Sequence, residues 1–246
     1  LIAGVLLDYI SWQTATSIIG ALNLLIAITF YMALPASKHF KAYPINLNRF
    51  IESFKKNLAD VRLRLLFAEG FILMGCFVTV FNYMSYHLLE KPFELSQMWI
   101  GLISIAYLSG IYSSPRAASW SHKFGRDNVL IAMLSMMIFG LWIMLIPTLW
   151  AILAGLLIFT FSFFAAHSTS SSWVSVQSLQ YRAVGSSLYL FCYYLGSSFL
   201  GSSGGLVWEQ GGWFGLTIAI TLVLIIGVFI AFKLKQIQIQ EKLKMN

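Results

Sequence analysis

The stretch YLFCYYLGSSFLGSSGGLVWEQGGW, Tyr189 to Trp213, decides the class of this protein. Before its last five residues it carries no charge, yet it is rich in tyrosine, serine and glycine, which a helix facing only lipid does not need. Ser197, Gly201 and Gly205 recur every fourth residue and share one side of a helix, a spacing that lets two membrane helices approach closely. The tyrosine hydroxyls need polar partners where bulk water is absent. The stretch therefore predicts an inner wall of a bundle of membrane helices.

The composition indicates a polytopic membrane protein. Hydrophobic residues make up 59% of the 246-residue chain and charged residues only 10%, whereas soluble domains carry about 25%. The net charge of +7 could indicate nucleic-acid binding, but its distribution follows membrane topology instead, so no nucleic acid is expected as a partner. Cys76 and Cys192 lie in apolar stretches, which predicts neither a disulfide framework nor a metal site. No cofactor is expected.

Apolar stretches of spanning length predict seven full spans after one partial span. They are Leu1–Leu7 (partial), Thr14–Leu34, Leu65–Leu89, Gln97–Ala118, Val129–Ile146, Leu149–Ser168, Val184–Val207 and Trp213–Phe232. The chain starts with Leu1 in what reads as the end of a span, so we expect a fragment of a longer protein.

The basic residues predict the orientation of the spans. If every span crosses once, all but Lys91 of the 16 Lys and Arg residues fall on one side. That side holds the segment Lys38–Arg64 and the tail Lys233–Asn246, which are therefore expected in the cytoplasm. Within the segment, apolar residues recur at three- and four-residue steps from Ile51 to Leu65, which fits an amphipathic helix on the membrane surface or a solvated basic linker.

Two parts of the chain repeat a short pattern on the outer side. Gly4, Asp8 and Trp12 have the same spacing as Gly205, Glu209 and Trp213, and each set precedes a span. The repeat has a period of six helices. Parallel six-helix repeats are the architecture of one large group of transporters.

Three motifs carry a resemblance to that group. They are MGCFVTVFNYMSY (Met74–Tyr86), SLYLFCYYLGSS (Ser187–Ser198) and GG-x2-W-x4-W (Gly204–Trp213). The sequence resembles the last two-thirds of a major facilitator superfamily transporter, and within it the bacterial arabinose-efflux and drug-efflux permeases. The resemblance implies an all-α membrane bundle from the end of helix five through helix twelve.

The resemblance also implies a domain organisation and a function. Residues 1–35 would end an N-terminal half, 36–64 would be a cytoplasmic linker, 65–232 a C-terminal six-helix half and 233–246 a cytoplasmic tail. The protein would be a multi-pass, monomeric exporter of small organic molecules in the bacterial inner membrane, proton-coupled and working by alternating access. The alternative is a non-transporting receptor or membrane enzyme; no catalytic constellation is visible, so we expect no enzyme.

One amide and six tyrosines inside the spans are the candidates for substrate binding. An amide or hydroxyl within a bilayer needs partners, and a central cavity supplies them. The candidates are Asn82, Tyr83, Tyr86, Tyr107, Tyr189, Tyr193 and Tyr194. Such a set suits an amphipathic solute, and cation–π contacts could also admit an organic cation.

Two ionisable residues are candidates for proton coupling. Glu69 lies one turn inside its predicted span, where pairing with Arg64, Arg116 or Arg182 is the competing explanation. His167 lies near the end of its span, where a packing role competes with a proton relay. Because no acid lies near the middle of any full span, we expect the coupling group in helices upstream of Leu1.

A short motif follows the fourth span. Lys123, Gly125 and Arg126 stand where the resemblance places the second copy of the superfamily's cytoplasmic loop motif. Ala118 and His122 replace its glycine and acid, which favours a plain topological turn over a gating role.

Overall fold

The computed structural model describes residues 6–7, 9–35 and 47–245. Most of the predicted partial span, Asp8 of the repeat and positions 36–46 of the expected linker lie outside the described residues. Within the described part, all regular structure is helical, which confirms the predicted all-α class.

The helices are numbered here along the described chain. They are α1 (Trp12–Ala33), α2 (Leu47–Ala59), α3 (Val61–Leu89), α4 (Gln97–Ile103), α5 (Ser109–Phe124), α6 (Arg126–Ile143), α7 (Leu149–Gln177) and α8 (Arg182–Met245), with 3₁₀ turns at Ser104–Leu108 and Leu179–Tyr181. The chain divides into two compact units, residues 1–47 with 88–105 and residues 48–87 with 106–246.

The first unit contains the exposed helix α1. Ser11 caps its start, because the Ser11 hydroxyl accepts a hydrogen bond from the backbone N–H of Thr14. The helix ends at Ala33, two residues before Pro35, which cannot continue a helix. Among its described side chains only Ala15 is buried.

Among the described residues, five helices are long and apolar enough to cross a membrane, by length and composition: α1, α3, α6, α7 and α8 up to Glu241. The fourth predicted span, Gln97–Ala118, is instead divided between α4, a 3₁₀ turn and α5. Helix α7 continues to Gln177, past the predicted end at Ser168, and the expected tail is helical through Met245.

Helix α8 contains two of the predicted spans, and its path breaks between them at Gly212. The backbone of Gly212 has φ 54° and ψ −150°, a conformation that glycine adopts without strain. Residues 182–211 run parallel to α3, with Gly70 against Tyr189 and Gly75 against Gly196. Residues after Gly212 return antiparallel to α3.

Contacts at three positions along α3 show that residues after Gly212 run antiparallel to it. Near the turn, the ring of Trp213 stacks on His87 at a centroid distance of 5.1 Å. Farther along, Gly227 lies beside Glu69. At the far end, the carboxylate of Glu241 pairs with the guanidinium of Arg62. Helix α3 is therefore covered by both arms of α8.

Helix α7 completes the interior of the second unit. It runs antiparallel to α3, since the Gln177 amide donates to Asp60 just before α3 at 2.7 Å, while Phe163 stacks on Phe77 in mid-helix. Helix α6 crosses α7 where Gly140 meets Gly155; a Cβ on Gly140 would lie 2.7 Å from the Gly155 carbonyl oxygen. The bundle core therefore lies around α3 and α7.

Candidate functional site

Four of the six predicted tyrosines fall into two clusters. The first, called here the His167 cluster, consists of His167, Tyr189 and Tyr193. The Nδ1 atom of His167 and the hydroxyl of Tyr189 are 3.1 Å apart, within hydrogen-bond distance. Tyr193 packs its ring 4.7 Å from the His167 ring. Tyr189 is buried, while His167 and Tyr193 are half-buried, so one side of the cluster is open.

Tyr194 lies at the margin of this cluster. Its ring meets that of Tyr193 edge-on at 5.3 Å, and 60% of the residue is exposed. It therefore extends the aromatic surface without being enclosed by it.

Phenylalanine rings connect the His167 cluster to Tyr107. Phe163 stacks on His167 at 6.0 Å and on Phe77 at 3.8 Å. Tyr107 packs 5.5 Å from Phe77 and 4.8 Å from Phe81, and is itself partly exposed. These phenylalanines were not predicted as site residues, because in an apolar span they resemble any lipid-facing or core side chain.

The second cluster, called here the Trp208 cluster, consists of Tyr83, Tyr86 and Trp208. The Tyr83 hydroxyl donates to the carbonyl oxygen of Gly201 at 3.2 Å. Its ring lies 5.6 Å from Trp208 and 6.0 Å from Tyr86. Asn82 is exposed next to this cluster, near Gly201. Tyr189 packs against Gly70, so by helical rise Tyr83 is about 20 Å farther along α3.

Glu69 is buried more completely than its place near the end of the predicted span indicated. It is fully buried, and neither carboxylate oxygen has a hydrogen-bond partner among the described residues. Pairing with Arg64, Arg116 or Arg182, which was open from the sequence, is not present among the ion pairs of the described chain. Instead, Arg116 lies over the Tyr112 ring.

Glycine makes room for the Glu69 carboxylate. A Cβ on Gly227 would lie 3.3 Å from Oε2 of Glu69 and 3.5 Å from Leu134. The carboxylate is therefore enclosed between α3, the returning arm of α8, and α6. Helix α3 begins at Val61, so by helical rise Glu69 is about 12 Å from its start rather than at its end.

The predicted small-residue face meets α3. A Cβ on Gly201 would lie 3.5 Å from Val78, an ordinary contact, and one on Gly205 would lie 3.1 Å from the Tyr83 hydroxyl. Ser197 is half-buried beside them. The closest approach lies at Gly196, where a Cβ would meet the backbone of Phe71.

The loop motif forms a tight turn between α5 and α6. Gly125 has φ 89°, a conformation that favours glycine, and it caps both helices. Lys123 lies 5.1 Å from the Phe124 ring, and Arg126 begins α6. Asp127, which follows at once, is buried, and its carboxylate lies beside Gly125. An acid is thus present at this turn, after the motif rather than within it.

Among the described residues, no three His, Cys, Asp or Glu side chains are close enough to hold a metal ion, and Cys76 and Cys192 are not joined in a disulfide.

Comparison with known proteins matches these features to one family. The sequence profile of the Major Facilitator Superfamily matches residues 1–201. An uncharacterized transporter of Buchnera aphidicola from Acyrthosiphon pisum is 43% identical over 98% of this chain and 59% of its own length. The inner membrane transport protein YnfM of Escherichia coli K12 is 43% identical over 95% of this chain and 56% of its own length. YybF of Bacillus subtilis 168, an uncharacterized transporter, is 35% identical over 94% and 57%.

The chain spans less than three-fifths of the length of these relatives. The helical fold, the long apolar helices and the match over most of the chain agree with the family expected from the sequence. This chain is a multi-pass membrane protein that belongs to the Major Facilitator Superfamily.

Proposed function

We propose that the protein is a proton-coupled secondary transporter of the bacterial inner membrane that exports small organic molecules by alternating access. The family supports transport, and YnfM, a similar protein, is named as an inner membrane transport protein. The two parts related by the six-helix repeat would rock about a midplane site. The basic segments, including the C-terminal tail, would face the cytoplasm, and the whole protein would act as a monomer.

The observation that carries proton coupling is the burial of Glu69. A carboxylate enclosed by helices and without a hydrogen-bond partner is costly to keep charged, so taking up a proton there stabilises the closed arrangement. Release of that proton requires the enclosing helices to separate. Binding and release are thereby tied to a conformational change, which is what coupling requires. The expectation that the coupling group lies in helices upstream of Leu1 stays the alternative to this proposal.

The aromatic clusters indicate the substrate class. The His167 and Trp208 clusters offer ring faces and hydroxyls, and the carboxylate of Glu209 directly follows Trp208 in the sequence. Such surfaces favour planar, amphipathic solutes over strongly charged ones, and ring faces also attract organic cations. His167 is here a positioning partner of Tyr189 rather than the coupling group.

Transport by inside-out membrane vesicles containing the whole protein tests this proposal. We would impose a pH gradient and follow ethidium, an organic cation, and N-phenyl-1-naphthylamine, a neutral aromatic solute. We expect the gradient to drive movement of at least one of them. Movement of neither would contradict the proposed substrate class.

Glu69→Gln tests the coupling group in the same vesicles. The neutral amide keeps the size of the side chain but cannot exchange a proton at working pH, so gradient-driven movement should fall at least tenfold while solute exchange without a gradient persists. Glu90→Gln, at an exposed carboxylate outside both aromatic clusters, is the matched control and should behave as the unaltered protein. Unchanged gradient-driven movement in Glu69→Gln would remove Glu69 from coupling.

A further inference from the structure

Helix α2 buries polar side chains and exposes apolar ones, the reverse of an amphipathic helix on a soluble protein. Ser53 and Asn57, one turn apart, are buried at 4% and 2% exposure. The exposed side chains of α2 include its large apolar ones, Phe50, Ile51, Phe54 and Leu58. An amphipathic helix on a soluble protein turns its apolar stripe to the core. Something other than water therefore covers the apolar face of α2.

The buried polar face determines how α2 is oriented. It packs on the start of α8, where Gly185 leaves room; a Cβ there would lie 2.9 Å from the amide oxygen of Asn57. The ammonium of Lys56 donates to the Tyr181 hydroxyl at 3.1 Å. Hydrogen bonds with Glu52 and Tyr181 raise the pKa of Lys56. These contacts leave the apolar face uncovered within the second unit.

The apolar face lies directly before a helix that can span the membrane. Phe50, Ile51, Phe54 and Leu58 line a groove of about 540 Å³ together with Lys55 and Ala59. Helix α3 begins at Val61, two residues after the end of α2, and Val61 is exposed. Because α3 is long and apolar enough to cross the bilayer, a helix joined to its start is held near the membrane surface.

The charges around this face are suited to anionic headgroups. Residues 47–64 contain five basic and two acidic residues. Both acids have partners, since Glu52 pairs with Lys56 at 2.7 Å and Asp60 accepts from Gln177 at 2.7 Å. Lys55 and Arg64 are exposed, and neither forms an ion pair among the described residues. Basic residues beside an inserted apolar face attract the phosphates of anionic lipids.

We infer that α2 is an in-plane membrane anchor that recognises anionic phospholipid. Its apolar face inserts among the acyl chains, while Lys55 and Arg64 bind the lipid phosphate. This anchor does not depend on the proposed transport activity, because it rests on the packing of α2 alone.

Spin-label accessibility tests the insertion. In the protein with Cys76→Ser and Cys192→Ser, labels would be placed one at a time at Ile51→Cys, Phe54→Cys and Leu58→Cys, and the protein reconstituted in phosphatidylglycerol vesicles. We expect these labels to be relaxed more by oxygen than by a water-soluble nickel chelate, and Glu52→Cys, on the other side of the helix, to show the opposite. Stronger relaxation by the nickel chelate at all four positions would overturn the anchor, as would protection from both reagents through a protein partner or a second copy.

Lipid binding in nanodiscs tests the recognition of charge. The protein should retain phosphatidylglycerol in preference to phosphatidylcholine, as measured by mass spectrometry of the bound lipid. At about 1 kcal/mol for each basic residue, the pair Lys55→Gln and Arg64→Gln should reduce this preference about thirtyfold. The matched pair Lys233→Gln and Lys244→Gln, at exposed lysines of α8, should leave it unchanged.

Three results would contradict lipid recognition by α2. They are equal retention of the two lipids, an equal loss in the α8 control pair, and displacement of the lipid by glycerol phosphate at the same concentration. The last result would mean that a free phosphate, not a lipid, is bound.

Discussion

The hydroxyl of Tyr189 lies 3.1 Å from Nδ1 of His167 and so joins α8 to α7 inside the bundle. Tyr189 is buried, and its ring packs over Gly70 of α3. One tyrosine therefore contacts two other helices, through its ring on one and its hydroxyl on the other.

Removing this hydroxyl should destabilise the bundle modestly. Tyr189→Phe keeps the ring and its packing on Gly70 but deprives His167 of its partner, which we expect to cost about 1 kcal/mol. Thermal unfolding of the purified protein in detergent would measure this. Tyr193→Phe is the control, because the contact of Tyr193 with His167 is through its ring. Equal unfolding temperatures for Tyr189→Phe and the unaltered protein would contradict the hydrogen bond.

Gly196 should tolerate a side chain least among the small residues of α8. Gly196→Ala places a methyl group against the backbone of Phe71, which cannot move aside as a side chain can, and we expect a loss of about 1–3 kcal/mol. Gly201→Ala should be nearly neutral, since its Cβ meets Val78 at 3.5 Å. The yield of monodisperse protein in size-exclusion chromatography would compare them. A larger loss for Gly201→Ala would contradict this order.

The orientation predicted from the basic residues can be tested by labelling single cysteines in intact cells. A membrane-impermeant maleimide should react with Glu90→Cys from outside, whereas Asn48→Cys and Lys244→Cys should react only after the membrane is opened. All three positions are exposed, so accessibility alone does not distinguish them. Outside labelling of Asn48→Cys would reverse the orientation.

The two aromatic clusters should affect transport separately. Tyr193→Ala and Tyr194→Ala alter the aromatic surface around His167, whereas Asn82→Ala and Tyr86→Ala alter the region of the Trp208 cluster, farther along α3. We expect each pair to raise the apparent KM for a different subset of solutes, at unchanged amounts of protein in the membrane. Identical profiles for both pairs would indicate one continuous site.

Most helix positions could be predicted from the sequence, because spanning length and hydropathy determine them. The division of Gln97–Ala118 could not, since a 3₁₀ turn at Ser104–Leu108 interrupts an apolar run without proline or glycine at its start. The helix of α8 beyond Phe232 could not be predicted either, because the residues of the tail are polar and yet continue the same helix.

The site was predicted less completely than the fold. Tyr189 and His167 were identified as candidates because they are polar residues inside a span. Which tyrosines contact each other depends on how helices distant in the sequence pack together. Glu69 was judged from its distance along one helix, whereas its burial depends on Gly227 and Leu134, which are far away in the sequence. A glycine facing a carboxylate from another helix leaves no local signal.

The turn at Gly212 connects two antiparallel arms of α8 through a single non-helical residue. Such a connection has no slack, so a displacement of one arm is passed to the other unless the two dihedral angles of Gly212 change. Any rocking of the bundle would then move both arms together, and the second arm, with Gly227, could move away from the first only if that one residue turned.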